Sequence, residues 1–290
     1  MLSVKPDRPI DPLALAVMRE VDALVRELGL AYFLCGAMAR DILLQHVHGI
    51  EAGAATADVD FGVAVENWKQ FENIKARLTA TGRFEPAKTM AQRLYYKIDA
   101  NSTGYPLDLI PFGGVETPPN SIAWPPDRDE VMNVIGYEEA LANIVQIQVE
   151  NEFVVPVISL PGLALLKLFA WTDRGNRDSK DALDLVTLLR SYHEAGNQDR
   201  LYGEELTLLE EVGFDLVAAS PRLLGKDVRR IARPKTLEQA LAILNDARLL
   251  DRLMTHMAPR LRSTDDPIAA AERLLEQFKA GLTGMYRANP

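Results

Sequence analysis

Thr56-Ala57-Asp58-Val59-Asp60-Phe61-Gly62 is the stretch on which the reading of this chain turns. Along an extended strand, side chains i and i+2 share a face, so Asp58 and Asp60 point the same way with Val59 buried behind them. Two carboxylates held that close repel unless a cation sits between them. A hard divalent ion such as Mg²⁺ takes oxygen ligands and keeps its remaining positions for water and substrate phosphate, so the pair reads as a phosphate-handling metal site. Asp108, in the apolar run Leu107-Asp108-Leu109-Ile110, supplies the third carboxylate that a two-metal centre needs.

Outward from that stretch, Ala31 to Leu34 reads as a buried strand that turns at Gly36 into a helix through Arg40, Leu43 and Leu44. Such a strand-to-helix turn aims free backbone N–H groups at whatever lies above it and suits a triphosphate; at Ala37 only the backbone is available for that contact. Asp11-Pro12 caps a helix over residues 12–28, which Gly29 ends. Small residues between His46 and Ala57 predict a flexible loop, and Asn67 to Ala80 returns to helical spacing. Arg93–Asp99 and Leu107–Phe112 read as strands joined by the turn Asn101-Ser102-Thr103-Gly104. Gly113 to Arg128, with its Gly-Gly and Pro-Pro pairs, predicts an exposed excursion in which Trp124 is a hydrophobic plug rather than a stacking platform for a base. Strands follow near residues 144–149 and 153–157. Beyond Ser159-Leu160-Pro161 the pattern is helical, over 163–171, 180–193, 204–218, 237–250 and 268–278. The fold class expected is therefore α+β: a mixed-sheet domain over residues 1–158 and a helical domain over 159–290.

At 290 residues with 48% hydrophobic and 25% charged content, the composition is that of an ordinary globular chain. The 41 acidic against 32 basic residues give a net charge of −9, which argues against a protein that coats nucleic acid by neutralising phosphates. Two local basic clusters remain, Arg174, Arg177 and Lys180, and then Lys226, Arg229, Arg230, Arg233 and Lys235. The lone cysteine, Cys35, lies in an apolar run and reads as a buried structural thiol. No window approaches the roughly 18 apolar residues of a membrane span, so no membrane partner is expected and the location expected is cytoplasmic. His46 and His48 flank Val47 without a nearby Cys or third His, which favours a loop pair over zinc.

In order, Gly36, Asp58 with Asp60, and Asp108 resemble the nucleotidyltransferases of the DNA polymerase β-type superfamily, whose pattern is a glycine turn, Asp-x-Asp on the next strand and a later third carboxylate. Arg40-Asp41 is similar to the Arg-Asp that follows the glycine in tRNA-nucleotidyltransferase-like members, which places both beside the nucleotide. Ala37 stands where the family carries a second Gly or Ser. Leu163-Ala164-Leu165-Leu166-Lys167-Leu168-Phe169-Ala170, followed by Arg174, Arg177 and Ser179-Lys180-Asp181-Ala182-Leu183-Asp184-Leu185, resembles the downstream motifs of the AbiEii/AbiGii and MenT-like toxins. The resemblance covers residues 13–190.

It implies a Mg²⁺-dependent transfer of a nucleoside monophosphate from an NTP to an acceptor hydroxyl, with tRNA as the acceptor and a toxin-antitoxin or phage-defence setting that supplies a cognate antitoxin. Asp58, Asp60 and Asp108 are then the metal ligands and, with Lys167, the catalytic set, Asp108 helping to deprotonate the attacking hydroxyl. Lys167 and Arg174 meet the triphosphate, and Asp181 and Asp184, at i and i+3 on one helix face, orient Lys167. For Lys167 the alternative is a snorkelling lysine on an apolar helix, and for Asp181 and Asp184 solvated charges on an amphipathic one. Two other functions stay open: transfer to a small molecule of aminoglycoside type or to a protein side chain, and a non-catalytic nucleotide- or partner-binding module.

Overall fold

A computed structural model of the chain describes residues 1–53, 56–99, 103–175 and 178–284. Ala54 and Ala55 of the small-residue loop, Asn101 and Ser102 of the predicted turn, and Arg177 of the first basic cluster lie outside the described residues. The architecture is α+β, and the chain divides into two compact units, Met1–Ser159 and a second that begins at Leu160.

The first unit is built on an eight-stranded mixed sheet. Its strands are β1 (Leu2–Ser3), β2 (Tyr32–Cys35), β3 (Val59–Val65), β4 (Phe84–Pro86), β5 (Arg93–Tyr96), β6 (Tyr105–Gly113), β9 (Ile144–Glu150) and β10 (Phe153–Ile158), in the spatial order β1-β9-β10-β2-β3-β6-β5-β4. The central strands are buried on both faces, which is why β2 and β3 carry nearly continuous apolar runs instead of an alternating pattern. Between β2 and β3 the chain forms α2 (Gly36–Asp41), which continues as a wider helical turn over Ile42–His48. The loop expected from His46 onward therefore starts later, at Gly49, and it is pinned by Ala52, whose side chain is buried.

Helix α1 (Pro12–Glu27) starts where expected. The Asp11 carboxylate accepts hydrogen bonds from the Leu13 and Ala14 amides at 2.7 and 3.2 Å, and Gly29 ends the helix in the left-handed region. Helix α3 (Trp68–Ala80) is capped by Asn67. The segment after β6 departs from expectation. Its predicted exposed excursion is anchored by the Glu116 carboxylate, which accepts the Gly113 and Asn120 amides at 2.8 and 2.7 Å, and it contains a two-stranded ladder, β7 (Ser121–Ala123) with β8 (Val131–Asn133). Trp124 is buried as a plug, 5.6 Å from the Trp68 ring and 5.8 Å from Phe71. A short helix, α4 (Tyr137–Ala142), leads into β9, and its Tyr137 packs on Phe33 and Phe112 in the core.

The second unit is helical: α5 (Leu160–Arg174), α6 (Lys180–Ser191), α7 (Gln198–Tyr202), α8 (Leu206–Glu211), α9 (Leu216–Ile231), α10 (Pro234–Asn245), α11 (Ala247–Met257) and α12 (Pro267–Thr283). The single helix expected over 204–218 breaks because Gly213 takes a positive φ and Asp215 caps a new helix through the Val217 and Ala218 amides. Asp246 divides 237–250 in the same way, accepting from the Arg248 and Leu249 amides. Helices α9 and α12 pack backbone to backbone: a Cβ at Gly225 would lie 2.1 Å from the Phe278 carbonyl oxygen, and one at Gly281 2.1 Å from that of Arg222. Among the described residues no helix is long and apolar enough to cross a membrane.

Candidate active site

The local backbone brings the three carboxylates together. Strands β3 and β6 run parallel with Asp60 opposite Asp108, so residues 48 positions apart become lateral neighbours on one face of the sheet. Asp58 sits one residue before β3, at the mouth of the same strand. One oxygen from each of Asp58, Asp60 and Asp108 lies within 4.8 Å of the others. Asp108 is buried and the other two are partly exposed, so the group opens to solvent on one side. At such separations two like charges repel by about 1 kcal/mol in water and about 4 kcal/mol at an effective dielectric of 20, so the cluster needs compensating positive charge. Three carboxylates from two adjacent strands form an all-oxygen donor set that fits a hard divalent cation.

Gly36 closes the site from the other side. It stands at the first position of α2 with φ of +67°, and an added Cβ would lie 2.0 Å from Asp60 Oδ2. The Asp60 carboxylate thus rests directly against the glycine turn, and Ala37 follows in the same half-buried turn. Arg40 and Asp41 lie one turn further along, both buried, with Arg40 Nε and Nη2 donating to Asp41 Oδ1 at 2.8 and 2.6 Å. Asp41 Oδ2 accepts the Thr56 amide at 3.2 Å, and the Thr56 hydroxyl donates to Asp58 Oδ1 at 2.5 Å. The Arg40–Asp41 pair therefore reaches the carboxylate cluster through Thr56, which braces the approach to β3.

Two neighbours escaped the sequence reading. Arg93, at the start of β5, lies opposite Asp108 in the antiparallel β5–β6 pair, and its Nε and Nη2 donate to the two Asp108 oxygens at 2.7 Å each. The same Nη2 lies 3.6 Å from Asp58 Oδ2. The Asp108 hydrogen bonds hold the Arg93 guanidinium pKa above its ordinary range against the opposing effect of burial. A signal for Arg93 existed: it opens a strand predicted to pair with the Asp108 strand, but only the register reveals that the two face each other. The other is Tyr105, whose hydroxyl is pushed up to about 12 by burial, with Asp11, Asp58 and Asp41 adding to the effect.

Lys167, Arg174, Asp181 and Asp184 come together in the second unit. Lys167 Nζ lies 3.0 Å from Asp181 Oδ1 and 2.5 Å from Asp184 Oδ2, all three residues being buried. Arg174 donates to both Asp181 oxygens at 2.8 and 3.1 Å while its side chain stays 56% exposed. Burial alone would lower the Lys167 pKa, but the attraction of Asp181 and Asp184 outweighs it and the ammonium is held above its ordinary value. Burial likewise opposes ionisation of Asp181, and Lys167 and Arg174 reverse that, holding its carboxyl below the usual range. Lys167 is thus an ion-paired buried lysine, not one that snorkels to solvent.

Elsewhere the structure ties down other candidates. His46 Nδ1 is 2.7 Å from the Arg8 carbonyl oxygen, and the His48 carbonyl accepts from Lys5 Nζ at 3.1 Å. Among the described residues the three aspartates are the sole group arranged to hold a metal ion. In the second basic cluster, Lys226 is ion-paired with Glu205 at 2.5 Å.

A family model described as the nucleotidyl transferase AbiEii toxin of a type IV toxin-antitoxin system matches residues 32–280. No curated protein sequence matches the chain. Solved structures similar to it include an antigenic nucleotidyltransferase-like protein from Paracoccidioides brasiliensis, 15% identical with a TM-score of 0.40, the match covering 71% of this chain and 92% of that one. They also include the antibiotic-resistance factor ANT(2'')-Ia, 13% identical with a TM-score of 0.39 over 70% of this chain and 98% of that one. A CCA-adding enzyme in its apo form is 12% identical with a TM-score of 0.32 over 98% and 87% of the two chains.

Proposed function

Because the chain belongs to the AbiEii nucleotidyltransferase toxin family, we propose that it moves a nucleoside monophosphate from an NTP to a hydroxyl of tRNA, in a toxin-antitoxin setting that pairs it with an antitoxin. The observation that carries the chemistry is the convergence of Asp58, Asp60 and Asp108, with ligand oxygens within 4.8 Å of one another. These three would hold Mg²⁺, which when bound neutralises charge on the phosphoryl oxygens and lowers the pKa of the attacking hydroxyl. Gly36 keeps the Asp60 carboxylate seated against the glycine turn, and Thr56 fixes the orientation of Asp58. Asp108, the most buried of the three, is the carboxylate to which we assign the proton of the acceptor hydroxyl. In the second unit we assign a positioning role to Lys167, held by Asp181 and Asp184, in a cluster that Arg174 joins while its side chain reaches solvent.

The tRNA acceptor rests on the resemblance of the Arg40-Asp41 and Lys167 to Leu185 motifs. A small acceptor is the second reading, favoured by the net charge of −9. The test is incubation of the full chain with Mg²⁺, each α-labelled NTP in turn and total bacterial tRNA. Label should enter RNA with the intact chain and fall at least about 100-fold in Asp60→Ala. Label in a small molecule instead would move the acceptor assignment. Equal labelling by Asp60→Ala would remove the carboxylates from the mechanism.

A further inference from the structure

The three carboxylates and Arg93 pose a problem of charge. Asp58, Asp60 and Asp108 carry three negative charges at ligand-shell distances, and the Arg93 fork is engaged with two of them. The decisive detail is that a single nitrogen, Nη2, contacts Asp108 Oδ2 at 2.7 Å and lies 3.6 Å from Asp58 Oδ2. One nitrogen thus reaches Asp58 and Asp108, two of the three carboxylates that would share a cation. An arginine that merely braced a ligand from behind would approach Asp108 from the side away from Asp58.

We infer that Arg93 is the resident cation of this site, bound to Asp108 and Asp58 when no divalent ion is present and displaced from them when one binds. The inference rests on the metal reading of the three aspartates. Its chemistry is an exchange of partners in which no covalent bond changes: the two N–H···O contacts of the fork to Asp108 are given up, and the freed oxygens turn to the incoming ion. The fork is well suited to the role. It satisfies both oxygens of a buried carboxylate with matched geometry, offsetting part of the charge that the three carboxylates bring together. Arg93 also sits at the first residue of a short strand near the sheet edge, in the spatial order β6-β5-β4, where its side chain is partly exposed. Metal binding then carries a built-in opposing cost, and the affinity of the site is set by Arg93 as well as by the ligands.

The test measures Mn²⁺ binding to the full chain by the electron paramagnetic resonance signal of the free ion, with no nucleotide and no turnover. Arg93→Met keeps an unbranched apolar stem and removes the guanidinium with its competing charge. The expected result is Mn²⁺ binding about tenfold tighter than in the unsubstituted chain, the change that follows from deleting one competing ion pair of ordinary strength. Arg93→Lys keeps the charge without the fork; its affinity should fall between the two, and it serves where Arg93→Met fails a circular dichroism check of folding. Weaker binding in Arg93→Met would overturn the inference by making Arg93 a support for the bound ion, and unchanged binding would overturn it by removing the competition. Asp108→Asn separates the two levels: if it binds Mn²⁺ as tightly as the unsubstituted chain, or if no chain binds it, the metal reading itself falls.

Discussion

Gly36 is the residue at which backbone conformation and chemistry meet. Its φ of +67° is disfavoured for any L side chain by roughly 1–2 kcal/mol, and the Asp60 carboxylate occupies the volume a Cβ would need. Gly36→Ala should therefore lower unfolding stability by on the order of that amount and, by pushing Asp60 aside, weaken Mn²⁺ binding. Denaturant unfolding and metal titration read the two effects separately. Lys167 offers a second case. Removing one partner of a buried ion pair costs on the order of 3–5 kcal/mol, so Lys167→Met should destabilise the chain by about that much in urea unfolding, whatever it does to transfer. The same cluster sets a pH window. The Asp181 pKa is depressed below 3.8, so its contribution to stability is complete above that value and is lost as pH falls through the folded pKa. The Lys167 pKa is raised above 10.5, so its contribution is complete below that value and is lost as pH rises through the folded pKa. Thermal melting should therefore show no contribution to pH dependence from Lys167 and Asp181 between about 4 and 10, and Lys167→Met should flatten the alkaline limb.

Among the elements, α1, β2, β3 and β6 were legible because each carries a local signal: the Asp11-Pro12 cap, an apolar run, and the spaced carboxylates. What stayed hidden depends on neighbours distant in sequence. The β7–β8 ladder consists of strands of three residues each, too short for alternation to register, and the anchoring of that segment depends on one Glu116 carboxylate that no pattern announces. The break between α8 and α9 was overlooked because apolar spacing ran across it, although Gly213 followed by Asp215 is itself a stop and a start. At the site, Asp58, Asp60 and Asp108 were legible from their order, whereas Arg93 required the cross-strand register. The α9–α12 crossing gives a prediction of its own. Gly281→Ala places a methyl carbon 2.1 Å from the Arg222 carbonyl oxygen, so the helices must separate. Stability should fall by about 1–3 kcal/mol in a denaturant titration, with Mn²⁺ affinity unchanged.

For the molecule as a whole, the organisation in two units directs where each measurement should look. The three-aspartate cluster belongs to the unit that ends at Ser159, and the Lys167 pH window to the unit that begins at Leu160. The three tryptophans are divided between them: Trp68 and Trp124 touch in the first unit, while Trp171 is fully buried in the second, donating to His256 at 3.1 Å with the Arg252 guanidinium 4.6 Å over its ring. The chain therefore carries its own spectroscopic labels. With Trp68 and Trp124 replaced by phenylalanine, the remaining indole emission comes from a single ring, and its red shift during unfolding timestamps the helical unit alone, so light emission can reveal when that half of the protein loosens.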